Sequence, residues 1–448
     1  KLPCYKSETG GNTVPGNPQA FRRTRGPRWK FPSFIRLLLY AGTILLLAVA
    51  ALFVLSSERP RVGKEAELPA VRLGIENLDG SLALFKGKRV GLITNATGVD
   101  RNYRRSVDIL KDKVNLVALF APEHGLRGNV VAGAAVPHEK DAATGLPIYS
   151  LHGDNRKPTA AMLKGIDVLA FDIQDIGARS YTYVYTMAYA MQSAREMNIP
   201  FVVFDRPNPV GGEQVEGGLL QPAYSSFIGL YPIPVRHGLT VGELARLFNE
   251  EFGIGVKLTV VPMQGWQRRM LQSDTGLPWL MTSPNIPTPD SALVYNATAL
   301  FGGSNVSEGI GTTRPFELGG APWLDGQKLA DRLNSLRLSG VYFRPVHFTP
   351  QWGKYQGRVC SGVQIHLKDR NRFSAVPVGL RLLEAIREQG GARFQWNAPK
   401  GKDRWMIDLY VGGPELREGK VNISDLLARW SKEAAEFRLR SKKYQLYQ

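Results

Sequence analysis

Beyond residue 85 the chain repeats one polarity pattern, a short uninterrupted apolar run that ends in a cluster of polar side chains. Val90 to Thr94 leads into Asn95, and Val114 to Ala121 leads into Glu123 and His124. Val168 to Asp172 leads into Gln174, Asp175 and Arg179, and Phe201 to Phe204 leads into Asp205, Arg206 and Asn208. Apolar runs without alternation suit strands covered on both faces, the situation of a parallel sheet. Helical stretches fall between them, a short one at Ser106 to Leu110 and a long one, rich in helix formers, at Tyr183 to Met197. A βαβα succession of this kind predicts an α/β fold with a doubly wound parallel sheet. Ligands bind such sheets outside the carboxyl ends of the strands. The polar clusters stand at those ends, so four strand ends are expected to converge on one cleft.

The pattern changes near residue 226. Thr240 and Glu243 have the spacing of a capping box that opens a helix to about Phe252, and LTVVPM follows as a strand. Residues 273–323 are rich in Gly and Pro and read as ordered functional loops, because aromatics are interspersed among the turn formers. A strand at Gly362 to Leu367, a helix at Val378 to Glu388 and an amphipathic helix at Ser424 to Phe437 complete the chain. The expected organisation is a sheet domain over 70–225 and a smaller auxiliary α/β (α+β) domain over 226–448, whose 273–323 loops close over a substrate.

The N-terminus is of another kind. Residues 37–55 form a 19-residue run without a charge, preceded by eight basic residues against Glu8 alone. A helix of that length spans about 28 Å, close to the hydrocarbon thickness of a bilayer. No Ala-x-Ala box or lipid-accepting cysteine follows, so the run reads as an uncleaved signal anchor rather than a cleaved leader. The expectation is a basic cytoplasmic segment over 1–36, one transmembrane helix over 37–55, a linker over 56–69, and an exported domain at the bacterial cell membrane. Cys4 and Cys360 would then lie on opposite sides of the membrane, Cys360 as a buried strand residue.

Composition narrows the function. With 43% hydrophobic residues and only two cysteines in 448, the chain is neither disordered nor a disulfide scaffold. The net charge of +18 divides into +7 before residue 37 and +11 after it. No nucleic-acid-binding motif accompanies it, so nucleic acid is not an expected partner. There is no G-x-G-x-x-G after the first strand, no P-loop, no H-E-x-x-H and no G-x-S-x-G, and no cofactor is expected. What the predicted cleft offers is carboxylates: Glu123, Asp172, Asp175 and Asp205, with Glu308 and Glu317 from the later loop. One carboxyl as general acid and a second kept ionised is the division of labour of glycoside hydrolysis. The same residues allow two other readings. Glu123, His124, Asp172 and Asp175 would serve a metal-dependent hydrolase as an N/O ligand set, and a sugar receptor would bind in the cleft without turnover.

Five ordered motifs carry a resemblance. APEHGLRG at 121–128, DIQDIGARSYTY at 172–183, DRPNPVGG at 205–212, SPNIPTPD at 283–290 and SNVSEGIGTTRPFE at 304–317 together resemble the bacterial exo-β-N-acetylmuramidases of the NamZ type, over about residues 70–448. The resemblance implies a Rossmann-like catalytic domain with an auxiliary domain. It also implies release of N-acetylmuramic acid from the non-reducing end of peptidoglycan-derived muropeptides or disaccharides, without a cofactor. Residue by residue, it implies Glu123 as catalytic acid with His124 beside it, and a second motif of Asp172, Gln174, Asp175 and Arg179 followed by Tyr181. Asn285 and Glu308 fall on the loops over the sugar. Asn95, Asp205, Arg206 and Asn208 at the other strand ends complete the expected binding set, with Arg179 or Arg127 as cation for the lactyl carboxylate. This chain has Ile310 where such sequences usually carry Arg.

Overall fold

The computed structural model describes residues 71–448 except 132, 135, 136, 400, 402 and 403, together with residues 32–35, 41, 42 and 45. Among the described residues no helix is long and apolar enough to cross a membrane, which overturns the transmembrane helix expected over 37–55. Residues 41, 42 and 45 of that run are helical, and the rest of it lies outside the described residues, as do Cys4 and the 56–69 linker. A span needs about 20 consecutive apolar residues in one helix, and among the described residues no helix combines that length with that hydropathy.

Leu68–Gln448 fold as one compact unit. Its main sheet has seven strands: β1 (Arg89–Thr94), β2 (Asn115–Ala121), β3 (Glu139–Lys140), β4 (Pro147–Ser150), β5 (Val168–Asp172), β6 (Phe201–Phe204) and β7 (Leu258–Val261). Their order is β3-β4-β2-β1-β5-β6-β7, and every neighbouring pair is parallel except β3 with β4. The chain lays β2 and β4 on one side of β1, then crosses back to build β5, β6 and β7 on the other. The reversal falls at β1 and β5, where a doubly wound sheet opens its crevice.

The sheet separates two cores, which explains the unalternating runs. On β5, Leu169 and Phe171 enter one core and Val168 and Ala170 the other; on β6, Phe201 and Val203 oppose Val202 and Phe204. One face is covered by α1 (Ser106–Lys113) and the 3-10 segment Gly74–Leu84. The other face is covered by α3 (Tyr183–Glu196) and α4 (Val241–Glu250), while α2 (Ala160–Leu163) is a single turn. Thr240 and Glu243 form the expected capping box at the start of α4, at 3.2 and 3.0 Å. Both β7 and α4 belong to this first layer system, so the sheet continues past residue 225.

The second sheet is antiparallel, in the order β8-β10-β9, from β8 (Leu318–Ala321), β9 (Val341–Phe348) and β10 (Cys360–Leu367). Cys360 is buried in it, and burial pushes its thiol up to about 11. Helices α6 (Gly326–Ser335) and α7 (Ala375–Gly390) accompany this sheet, and α5 (Pro289–Thr298) packs on α7. That last contact is close enough that a Cβ on Gly379 would stand 2.1 Å from the Ala297 carbonyl oxygen. Helix α5 lies inside the stretch expected to be loops. It is capped by Thr288 with Pro289 in its first turn, but Ser291 to Thr298 are all buried, so no polar face marks it in the sequence. After two short helices, α8 (Met406–Val411) and α9 (Glu415–Glu418), α10 (Ile423–Ser441) leads into a tail that returns to the first sheet. There the Tyr447 hydroxyl donates to Asp205 Oδ2 at 2.6 Å and accepts from the Met263 amide at 2.9 Å.

Candidate active site

Glu123 follows β2 in a turn that two left-handed residues build, His124 at φ 71° and Gly125 at φ 75°. The conformation is unfavourable for a side chain other than glycine and persists where neighbours enforce it. Here His124 Nδ1–H donates to the Val130 carbonyl at 2.7 Å, and the buried ring meets Tyr183 edge-on at 6.4 Å. His124 thus fixes the turn that aims Glu123 across the crevice. The carboxylate accepts from the Gly133 amide at 2.9 Å and from Thr182 Oγ1, just before α3, at 2.7 Å. A hydroxyl can donate or accept, so Thr182 can hold this carboxyl in either protonation state.

A second group beside Glu123 was not expected. His152 Nε2 stands 3.9 Å from Glu123 Oε1. Its ring is buried, and burial outweighs the attraction of Glu123 and pushes the imidazole below its ordinary range. Its Nδ1 is buried with no partner among the described residues. The residue follows β4, a four-residue strand whose burial alternates, so no apolar run marks a strand end there.

Around this pair lies an aromatic wall. Tyr181 and Tyr183 cross at 5.0 Å, Tyr181 and Tyr295 at 5.9 Å, and Tyr295 and Phe316 at 4.7 Å, all edge-on. Tyr181 donates to Thr282 Oγ1 at 2.8 Å and Tyr183 to the Thr282 carbonyl, which ties the 273–288 segment to the wall. Burial holds the Tyr295 phenol above its ordinary range, and the charges of Glu123, Asp175 and Glu308 add to it. The Tyr410 phenol is raised likewise, first by burial, then by Tyr295, Glu308 and Glu123. Three of the expected carboxylates therefore gather around Tyr295, a residue of α5 that no motif singled out.

The other expected residues divide. Asp175 is buried, accepts from the Gly177 amide at 2.7 Å through Oδ2, and leaves Oδ1 without a partner among the described residues. Glu308 is held by Lys354 at 2.8 Å, and Lys354 also donates to the Phe301 and Val306 carbonyls. The Asn285 amide makes no hydrogen bond to protein among the described residues, whereas Asn95 accepts from Thr97, whose hydroxyl accepts from the Gln174 amide at 2.9 Å. Gln174 itself donates to two carbonyls, at Asp175 and Pro207, and Asn208 organises its own turn. Ile310 is apolar and partly buried against the main core.

Asp172 and Asp205 are differently employed. Asp172 is fully buried, bound by Arg206 at 2.6 and 2.8 Å and by the Ser106 hydroxyl. Asp205 is fully buried among the Arg206 and Gly242 amides, Thr240 and Tyr447. Arg179 is buried as well. Its guanidinium donates to the carbonyls of Gly218, Ile233 and Tyr410 at 2.7 to 2.9 Å, and burial lowers it to about 10. It joins the first sheet system to α8 rather than facing an open surface. Arg127 is exposed, 4.0 Å from Asp141. Among the described residues no group of three or more His, Cys, Asp or Glu is arranged to hold a metal ion.

Residues 90–290 match the family described as exo-beta-N-acetylmuramidase NamZ, N-terminal, and residues 293–447 match its C-terminal counterpart. The peptidoglycan beta-N-acetylmuramidase NamZ of Bacillus subtilis (strain 168) is 47% identical over 388 residues, 85% of this chain and 92% of that protein. A crystal structure of a DUF1343 family protein from Bacteroides fragilis NCTC 9343 is similar with a TM-score of 0.79 at 42% identity, covering 85% of this chain and 99% of the other. A second DUF1343 protein of the same organism matches with a TM-score of 0.69 at 31% identity, covering 84% and 99%.

Proposed function

Because the chain belongs to the NamZ family of exo-β-N-acetylmuramidases, we infer that Glu123 is the proton donor of its glycosidase reaction. The protein is a peptidoglycan β-N-acetylmuramidase, a hydrolase that releases N-acetylmuramic acid. The observation that carries the role of Glu123 is its setting. It is the strand-end carboxylate that two neutral donors and the His152 imidazole surround, with no Lys or Arg in contact among the described residues. Such a group can carry a proton to the glycosidic oxygen and hold the resulting carboxylate.

In the first half of the reaction the Glu123 proton passes to the leaving oxygen as the C1–O bond breaks. Positive charge then develops on the sugar ring. Of the two aspartates of the second motif, Asp175 is the better placed to answer it, because it keeps an oxygen free while Asp172 is neutralised by Arg206. Its role is to orient either a water or the acetamido carbonyl of the substrate toward C1. Proton return from water to Glu123 completes the cycle. The aromatic wall of Tyr181, Tyr183 and Tyr295 excludes water behind the sugar, and Asn285 offers an unspent amide to it.

The test is product analysis. Purified protein incubated with a muramyl-glucosaminyl disaccharide should release free N-acetylmuramic acid from the non-reducing end; binding without release would leave only a receptor. The substrate also motivates a location. Peptidoglycan lies outside the cytoplasm, so the domain is expected to act there. Digestion of the protein by protease added to spheroplasts, with a cytoplasmic marker spared, tests that, and protection would overturn it.

A further inference from the structure

N-acetylmuramic acid differs from N-acetylglucosamine in its lactyl ether, which carries a carboxylate. The arginines expected to meet it are poorly suited, since Arg179 is enclosed among carbonyls and Arg127 stands beside Asp141. Arg156, between β4 and α2, is different. It is exposed, and among the described residues its guanidinium makes neither an ion pair nor a hydrogen bond, while its neighbour Lys157 is paired with Glu196 at 2.6 Å. Its guanidinium carbon lies 4.5 Å from the centroid of the Phe227 ring. That ring stacks on Tyr189 of α3 at 6.2 Å and 8°, and on its other contact meets His152 at 6.2 Å. His152 is the imidazole beside Glu123. The positive charge of Arg156 is felt at that imidazole, where it opposes protonation.

We propose that Arg156, held over Phe227, is the cationic contact for the lactyl carboxylate of the muramyl unit bound at Glu123, and thereby sets the preference for N-acetylmuramic acid over N-acetylglucosamine. This rests on the glycosidase reading above. The lactyl ether and the glycosidic oxygen belong to one sugar ring, so the contact has to come from the same side of the crevice as the acid, and Arg156 is linked to Glu123 by two side chains in contact, Phe227 and His152. A guanidinium stacked on a ring keeps its N–H edge available, and that planar edge matches a carboxylate with two parallel hydrogen bonds. An unpaired cation beside a site for an anionic sugar also raises the encounter rate, an effect that salt removes.

The experiment compares Arg156→Gln with the wild type and with Arg156→Lys. Binding of N-acetylmuramic acid, its lactyl methyl amide and N-acetylglucosamine is measured by calorimetry at low and high salt, alongside KM and kcat on a chromogenic N-acetylmuramide. Arg156→Gln should weaken N-acetylmuramic acid binding by about ten- to a hundredfold, with the loss in turnover falling on KM rather than kcat. Binding of the amide and of N-acetylglucosamine should not change, the salt dependence should disappear, and Arg156→Lys should recover part of the affinity. Equal affinity of Arg156→Gln and wild type for N-acetylmuramic acid would overturn the proposal. Equal weakening of all three ligands would mean that Arg156 only supports the ring of Phe227, and would overturn it too. If wild-type protein neither binds nor hydrolyses muramides, the glycosidase reading falls first and this inference with it.

Discussion

Three strands of one sheet end in carboxylates, and their fates differ. Glu123 after β2 meets a backbone amide, a hydroxyl and the His152 imidazole. Asp172 on β5 and Asp205 after β6 are fully buried and saturated, the first by Arg206 and the second by four donors. A carboxylate locked to a guanidinium is held ionised and carries no proton to give a substrate, because taking one up would leave the arginine buried and unpaired. One held by groups that serve either protonation state can give and regain a proton. The same position in a fold therefore yields a saturated clamp or a carboxylate open to proton transfer, according to what the neighbouring elements place against it.

The sharpest way to break this contrast is Glu123→Gln. Loss of a general acid should lower kcat on a chromogenic N-acetylmuramide by about 10²- to 10⁴-fold, with the thermal midpoint nearly unmoved; retained turnover would remove Glu123 from the role. Asp172→Asn should do the opposite. Leaving Arg206 buried without its partner is expected to cost about 3–5 kcal/mol in urea unfolding, while activity per folded molecule survives. A stable but inactive variant would return Asp172 to the chemistry.

Asp205 gives a pH test. Burial pushes its carboxyl up to about 7, above an unfolded value of about 3.9. The folded state then binds the proton more tightly, so its contribution is full below pH ~4 and is lost as the pH rises toward 7. The stability difference between wild type and Asp205→Asn should shift against the wild type by roughly 2–4 kcal/mol from pH 4 to 8. A constant difference would show that its four donors keep Asp205 ionised throughout. The smallest effect is expected from Tyr447→Phe, which removes the tail's bonds to Asp205 and Met263. A loss of about 1–3 kcal/mol in unfolding free energy, with kcat unchanged, would place the tail on the structural side of the comparison, and a fall in kcat without loss of stability would contradict that.

Much of the first sheet was legible in the sequence, because strands buried on both faces leave continuous apolar runs. Val168–Asp172 and Phe201–Phe204 occur where those runs lie. The crevice was legible for the same reason, since a strand-end polar cluster stands out against an apolar run. What escaped notice lacked that contrast. Helix α5 is buried on every side and shows no amphipathic period, so Tyr295 went unmarked. The strand before His152 has four residues and no apolar run. In the N-terminal run the apolar signal was clear, yet no described helix is long and apolar enough to cross a membrane.

By itself the sequence determined the kinds of group available at each strand end, the direction of the strands and the family to which the chain belongs. Those follow from local polarity and from ordered motifs, which need no knowledge of distant neighbours. Only the tertiary structure decided which carboxylate is free. Arg206 stands 34 residues from Asp172, and Tyr447 stands 242 residues from Asp205. A charge is spent or available according to the partners within hydrogen-bond reach, and in this fold those partners arrive from other strands, from the loops and from the far end of the chain.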